Sequence, residues 1–465
     1  MSAVPRTLLI PLIVACALFM ENMDATVIAT SLPVLAHDLG QEPLILKLAL
    51  TAYVVGLGVF IPISGWAADR FGARTVFRTA IAVFMTGSLL CAVSSSLAAF
   101  VAARFLQGIG GAMMVPVGRI VIFRSVQRTE LVKAISFLTI PSQLGPVLGP
   151  PLGGFITTYF HWRWIFLINV PISILGMYLA GRYIENWRAE QMQPLDTKGF
   201  VLSAVGSTLL MLGLSLIDGE LLASQLAFGM CVIGALTLYA YLRHARREPS
   251  PLLDLRLLRI PTFRASVLGG SLFRIGLGAV PFLLPLSLQL GLGMSAFHAG
   301  TITCASAFGA IFMKAIGTQV LRRFGFRSVL IWNAVLAGLA LASYGLFTPS
   351  TPYLVMMAVV LLGGFFPSMQ FTCLNTMAYA DLGDADVSRA TSLASVVQQI
   401  SLGLGVTIGG LAVHFSSHLQ GHSTIVAGDF WPAFVVIGLF SMASIPVTRR
   451  LPSNAGAMLT GHNPA

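Results

Sequence analysis

Leu144-Gly145-Pro146-Val147-Leu148-Gly149-Pro150-Pro151-Leu152-Gly153-Gly154 lies inside an apolar stretch and carries the first decision about this chain. Gly145, Gly149 and Gly153 recur every fourth residue, so on a helix they fall on one face and leave a bare groove. Another helix can approach such a groove backbone to backbone. Pro150 and Pro151 lack the amides that would bond to the carbonyls of Pro146 and Val147, and they bend the helix. A kinked, close-packed seam in an apolar environment reads as part of a membrane protein whose helices move against one another.

The rest of the chain agrees. Hydrophobic residues make up 56% and charged residues 10% of the 465 positions. Apolar runs of about twenty residues recur throughout, long enough at about 1.5 Å per residue to cross about 30 Å of hydrocarbon. The spacing predicts fourteen spans, near 8–34, 46–67, 75–95, 97–122, 134–159, 163–183, 199–217, 221–242, 263–289, 297–320, 328–347, 352–378, 389–413 and 430–448. The fold class is therefore an all-α polytopic membrane protein. The first run follows Arg6 as a signal peptide would, but continues past a signal's usual length and reads as an uncleaved helix.

Charge distribution orients the spans. With both termini inside, one set of connections carries Arg6, Arg70, Arg74, Arg78, Arg124, Arg128, Lys133, Arg182, Arg188, Lys198, the run from Arg243 to Arg264, Arg322, Arg323, Arg327, Arg389, Arg449 and Arg450. The other set has Lys47 and Arg163. Positive-inside bias accounts for the net charge of +11, so no nucleic-acid partner is implied. The five cysteines lie singly within spans, as packing residues rather than metal ligands. His414, His418 and His422 are four apart and would stack on a continued helix, but Gly421 argues against that continuation, and no metal site is read.

Several motifs carry chemistry. The run from Gly149 to Gly154, with Gly145 four residues ahead, resembles the antiporter motif in the fifth helix of drug exporters of the major facilitator superfamily. Gly65-Trp66-Ala67-Ala68-Asp69-Arg70-Phe71-Gly72-Ala73-Arg74 resembles the signature of that superfamily's loop between helices two and three. The resemblance implies a gate on the cytoplasmic side made by Gly65, Asp69, Arg70, Gly72 and Arg74, with Asp69, Arg70 and Arg74 able to form a charge relay. Asp24-Ala25-Thr26-Val27-Ile28-Ala29-Thr30-Ser31-Leu32-Pro33 resembles the first-helix motif of the fourteen-span drug:proton antiporters, with Ala29 where that motif commonly has Asn. Arg104-Phe105-Leu106-Gln107-Gly108-Ile109-Gly110-Gly111-Ala112 resembles their fourth-helix motif, and Trp162 to Pro171 the opening of their sixth helix.

Glu21 and Asp24 are three residues apart on one face of the first span, and an acid within hydrocarbon is costly when ionised, which makes both candidate proton carriers. Counting residues at about 1.5 Å each puts Asp24 and Arg104 at the same depth, about 10 Å below the outer surface, so that Arg104 is a candidate counter-ion. An opposing cation and a proton then compete for one carboxylate. Arg274, near the middle of span nine, and Lys314, in span ten, are further candidate pathway cations, and with Gln107 and Asn169 they are read as lining the substrate cavity. Arg119, near the inner end of span four, is read as reaching water along its own stem.

The basic turn returns once, as Thr318-Gln319-Val320-Leu321-Arg322-Arg323-Phe324-Gly325-Phe326-Arg327, after span ten. Phe-Gly and the final Arg align, while Arg322 stands where Asp69 was. A repeat at that distance fits two equivalent six-span halves separated by an inserted pair, which is the major facilitator plan with two additional helices. The expected organisation is a first six-helix bundle over 1–190, two additional transmembrane helices over 191–250 and a second bundle over 251–465, with the basic stretch 243–264 as a linker. The whole resemblance implies a proton-coupled exporter of drug-like small molecules in a bacterial inner membrane, working by alternating access. Its partners would be the substrate, protons and membrane lipid. No phosphate-binding loop, nucleophile triad or dinucleotide fingerprint is present, so no cofactor is expected and the proton gradient is the expected energy source. Four cations against two carboxylates within the spans keep an exporter of organic anions, such as carboxylates or their metal complexes, as an alternative. A receptor or enzyme on the same scaffold is the alternative from another class.

Overall fold

Apolar runs separated by short Gly, Pro and Arg-rich turns produce helices and no strand among the residues described. The computed structural model describes residues 6–125, 131–188, 194–217, 221–249, 251–378, 380–382, 387–422 and 424–452. Fourteen long helices follow in order: α1 (Leu9–Asp38), α2 (Pro43–Phe71), α3 (Ala73–Val93), α4 (Leu97–Ile122), α5 (Leu131–Tyr159), α6 (Trp164–Tyr183), α7 (Thr197–Ser215), α8 (Ser224–Ala245), α9 (Pro261–Gly291), α10 (Ala296–Lys314), α11 (Gln319–Leu346), α12 (Tyr353–Met377), α13 (Arg389–Leu419) and α14 (Ala427–Thr448). Thirteen of them have the length and hydropathy to cross a membrane. The other, α5, is a 29-residue helix with four internal prolines.

The repeated basic turn is repeated in backbone. Gly72 (φ 93°) separates α2 from α3, and Gly325 (φ 70°) interrupts the continuous run of α10 and α11. Both sit in a conformation that side chains with a Cβ rarely adopt, which explains why Phe-Gly recurs there. Arg70 lies over the Phe71 ring at 5.8 Å and Arg323 over Phe324 at 5.6 Å, so the aromatic partner also recurs.

One apolar core is shared by the first and last six helices, and it lies at the end opposite the arginine-rich turns. It joins Val27, Leu32, Phe100 and Phe166 to Phe282, Leu286, Tyr344 and Phe434. Towards the arginine-rich end, the cores separate: one packs Val14, Phe77, Phe84 and Met114 of the first half, another Phe273, Leu330, Met369 and Cys373 of the second. The inserted helices α7 and α8 pack together, and α7 packs against α2 and α13, where its Ser215 bonds to Thr51 (3.3 Å) and Thr407 (2.7 Å).

Two stretches singled out in the sequence take a definite form. The basic stretch expected as a linker packs against both flanking parts: Leu253 and Leu257 are buried beside Phe263 and Ala390, and the Tyr241 hydroxyl both donates to the Leu253 carbonyl (3.2 Å) and accepts from its amide (2.9 Å). Apolar residues between the arginines decide this, since burying each leucine is worth about 1.5–3 kcal/mol. The three histidines do not converge among the described residues. Gly421 (φ 68°) ends the run, and His422 turns to Asp429 at 2.9 Å.

Candidate functional site

Asp24 stands near the end of the regular part of α1, where the α-helix stops at Val27 and a 3-10 turn over Ala29–Ser31 follows. Thr30 and Ser31 hydroxyls donate to the Val27 carbonyl (3.2 Å each) and satisfy the break. The carboxylate is 0% exposed and accepts from three side chains. Arg104 Nη1 of α4 donates to Oδ2 at 2.6 Å, and Gln107 Nε2 of α4 and Asn169 Nδ2 of α6 donate to Oδ1 at 2.9 Å each. Ser88 of α3 closes the ring, accepting from Asn169 (2.9 Å) and Gln107 (3.3 Å) and donating to the Phe166 carbonyl (3.1 Å). Arg104, also 0% exposed, lies over the Tyr53 ring at 4.5 Å. Helices α4 and α6 thus meet α1 at one carboxylate, with α3 behind them.

Arg104 and Gln107 are three apart on α4 and point the same way, and Gln107 Oε1 accepts from Arg104 Nη1 at 2.5 Å. Close approach is made possible by Gly87 and Gly108: a Cβ on Gly87 would stand 2.7 Å from the Gln107 backbone, and one on Gly108 2.3 Å from the Tyr53 carbonyl. The sequence reading put Gln107 and Asn169 in the substrate cavity. Both are fully buried and donate to Asp24, as the neutral amides that complete the carboxylate's shell. Ser88 and Tyr53 escaped the sequence reading altogether; each is a single residue in an apolar run, with no pattern to mark it.

Glu21 lies one turn earlier and is 8% exposed. Its Oε2, the Tyr53 hydroxyl, and Arg104 Nε and Nη2 are buried with no hydrogen-bond partner among the described residues. Glu21 Oε1 and the Tyr53 hydroxyl both overlook Gly111, at 3.4 and 3.1 Å from the place its Cβ would take. Unpartnered polar atoms of both signs thus gather beside the closed ring around Asp24.

The glycine face of α5 packs on this same helix. A Cβ on Gly145 would stand 2.8 Å from the Phe19 carbonyl, on Gly149 2.0 Å from Thr26 Oγ1, and on Gly153 2.3 Å from the Val27 carbonyl. Gly154 faces the other half, 2.4 Å from the Ala296 carbonyl on the same measure. The carbonyl of Val147, freed by Pro151, accepts the Cys304 thiol of α10 at 3.1 Å, and that of Ser142, freed by Pro146, meets the Asn22 amide at 3.5 Å.

The charge relay expected of the basic turn takes a different form. Asp69 pairs with Arg124 at the end of the fourth helix (3.2 Å), not with Arg70 or Arg74. Arg70 lies over Trp66 at 5.5 Å, and Arg74, carried into α3 by the turn at Gly72, lines a groove with Thr75 and Arg78. Gly65 has open space at its Cβ position and is no packing device. In the second half, Arg274 is 2% exposed, donates to Asn375 (3.1 Å) and the Ser266 carbonyl (3.5 Å), and lies over Phe371 at 5.4 Å. Lys314 is exposed at the end of α10, and Arg119 is exposed on α4.

The model of the Major Facilitator Superfamily matches residues 14–256 and 266–457. The multidrug resistance protein MdtD of Escherichia fergusonii is 39% identical over 446 residues, covering 95% of this chain and 94% of that protein. The MdtD protein of Salmonella dublin is 41% identical over 401 residues, 86% of this chain and 85% of the relative. Among solved structures, the POT family transporter PepTSo superimposes with a TM-score of 0.72 at 14% identity, covering 96% of this chain and 97% of that one. A D-xylose-proton symporter gives 0.68 at 15% identity, covering 96% and 98%. At such identities the two structures speak for the fold alone.

Proposed function

The chain belongs to the major facilitator superfamily, and from that premise we propose that it is a proton-coupled exporter of drug-like small molecules, seated in a bacterial inner membrane with both termini cytoplasmic. It is a multi-pass membrane transporter and not an enzyme. The observation that carries the coupling is Asp24, a fully buried carboxylate whose two oxygens are held by donors from α4 and α6. A proton and Arg104 compete for it. Protonation removes the charge that shortens and strengthens these bonds, so α1 loosens from α4 and α6 at once. Loss of the proton restores them. Glu21, with its unpartnered oxygen one turn away, is the second group able to take a proton or meet a ligand charge.

The relatives' names support drug-like substrates. Purified protein in liposomes with an imposed pH gradient should accumulate lipophilic compounds, and Asp24→Asn should abolish accumulation while leaving insertion intact. Gradient-driven accumulation by the folded Asn variant would defeat the reading. Arg274 favours a second reading, export of organic anions, because its buried guanidinium, bonded to Asn375 and lying over the Phe371 ring, is the planar fork that matches a carboxylate.

A further inference from the structure

Asp196 is the N-cap of α7 and accepts from the Gly199 amide at 2.8 Å. His244 lies in the last turn of α8, and the Glu248 amide still bonds to the His244 carbonyl at 3.0 Å, so that these two side chains leave the same face. His244 Nε2 stands 2.8 Å from Asp196 Oδ1 and 4.0 Å from Glu248 Oε2. All three ligand atoms fall within 4.8 Å of one another.

A cap accounts for only one of these carboxylates. An imidazole nitrogen carries at most one proton and donates it once, and Asp196 takes that bond. The Glu248 carboxylate then lies beside the first, 4.0 Å from the same nitrogen and left without that proton. A divalent cation at the meeting point removes this mismatch and uses all three atoms. We propose that Asp196, His244 and Glu248 form a binding site for a divalent metal ion of the Zn²⁺ class.

The chemistry of the donors selects the ion. One imidazole and two carboxylates suit Zn²⁺, Co²⁺ or Mn²⁺, whereas Cu⁺ seeks sulfur and Ca²⁺ six or more oxygens. Ligand bonds of about 2.0–2.2 Å set tetrahedral donor atoms about 3.4 Å apart, so the His-Asp pair opens and the His-Glu pair closes by about half an ångström each. Binding puts the Nε2 lone pair on the metal and moves the imidazole proton to Nδ1. Glu248, on an exposed turn after α8, is free to make that adjustment. The Asp196 Oδ2 atom also accepts from the Leu252 amide (3.2 Å), and Asp254 reaches Arg389 at the start of α13 (3.6 Å). The metal would therefore clip α7 and α8 to the segment leading into the second half.

The test needs no substrate and is independent of transport. Full-length protein in detergent, with its purification tag removed and stripped by a chelator, is titrated with Zn²⁺ against a chromophoric chelator and with Co²⁺ by visible absorption. One equivalent should bind, with tetrahedral Co²⁺ bands. His244→Ala should weaken binding by about 100-fold and Glu248→Gln by about 10-fold, given that even outer ligand partners cost about 10–100-fold. Glu248 is on the surface, so its variant keeps the fold and the test stands if His244→Ala misfolds. Absence of saturable binding, or wild-type affinity in Glu248→Gln, overturns the site.

Discussion

Asp24 and Arg104 are a pair whose energetics differ from those of surface ion pairs. Both are removed from solvent, so breaking the pair by changing one partner leaves an uncompensated buried charge, at a cost of about 3–5 kcal/mol. Asp24→Asn should therefore lower thermal stability as well as stop coupling, and Arg104→Gln should do the same. The double variant Asp24→Asn with Arg104→Gln should recover most of the stability, since two neutral amides remain to bond, yet still fail to couple. Thermal unfolding in detergent beside gradient-driven uptake separates the two effects; a double variant as unstable as the sum of the singles would mean that charge balance is not what holds these helices. Arg274 makes a different prediction. Arg274→Gln should impair export of acidic compounds most, and Arg274→Lys should keep part of it because charge survives where the planar fork is lost. Comparing acidic, neutral and cationic compounds at equal expression decides this, and an equal loss of all three would leave Arg274 a structural residue bonded to Asn375. Sequence made Asp24 and Arg104 legible through residue counting along two antiparallel helices. It does not tell which neutral side chains complete the shell, because facing depends on helix rotation, and a lone Ser88 in an apolar run carries no pattern that marks it.

At the scale of elements, α5 shows how a glycine pattern becomes a contact. The four-residue repeat was readable as a bare face, but not the identity of the helix that fills it; that is settled by α1, whose own backbone breaks beyond Asp24. The glycines of α5 thus lie directly against the helix that carries the carboxylate. Substitution effects should differ by neighbour. At Gly153, a methyl group would stand 2.3 Å from the Val27 carbonyl, a backbone atom that moves only with its helix, so Gly153→Ala should destabilise by about 1–3 kcal/mol and impair transport. Gly65→Ala, with nothing within 4 Å, should be neutral or slightly stabilising because alanine restricts the unfolded chain. Unfolding temperature and transport rate for the two variants, measured side by side, check the contrast. The basic turn gives the complementary lesson: its glycine and aromatic residue were legible, while Asp69 bonds to a residue fifty-five positions away that no local motif contains. That exposed pair is worth about 0–1 kcal/mol, small enough to break and re-form during transport.

At the scale of the whole molecule, the shared apolar core joins the two halves at the end opposite the arginine-rich turns, and towards the arginine-rich end their contact narrows to α2 against α13 and the segment before α9. The closure rests on α5 and α10, where Gly154 meets Ala296 and a Cβ on Gly300 would stand 2.3 Å from the Pro150 carbonyl. Contacts this close leave no room for a side chain, so Gly154→Leu should prop that end open. Overpacking of about 1–3 kcal/mol shifts a near-balanced pair of states by tenfold or more. Cys304 reports the motion, since it is 9% exposed and its thiol is held by the Val147 carbonyl across the same seam. With the other four cysteines replaced by serine or alanine, maleimide modification of Cys304 should be slow in the parent and several-fold faster in Gly154→Leu. Imposing the pH gradient should raise the parent's rate by cycling the halves apart, while Asp24→Asn should remove that response. A rate unchanged by Gly154→Leu in a folded protein would mean that the end seen closed here does not open at the seam between α5 and α10, and alternating access in this chain would have to turn on the contact of α2 with α13 instead.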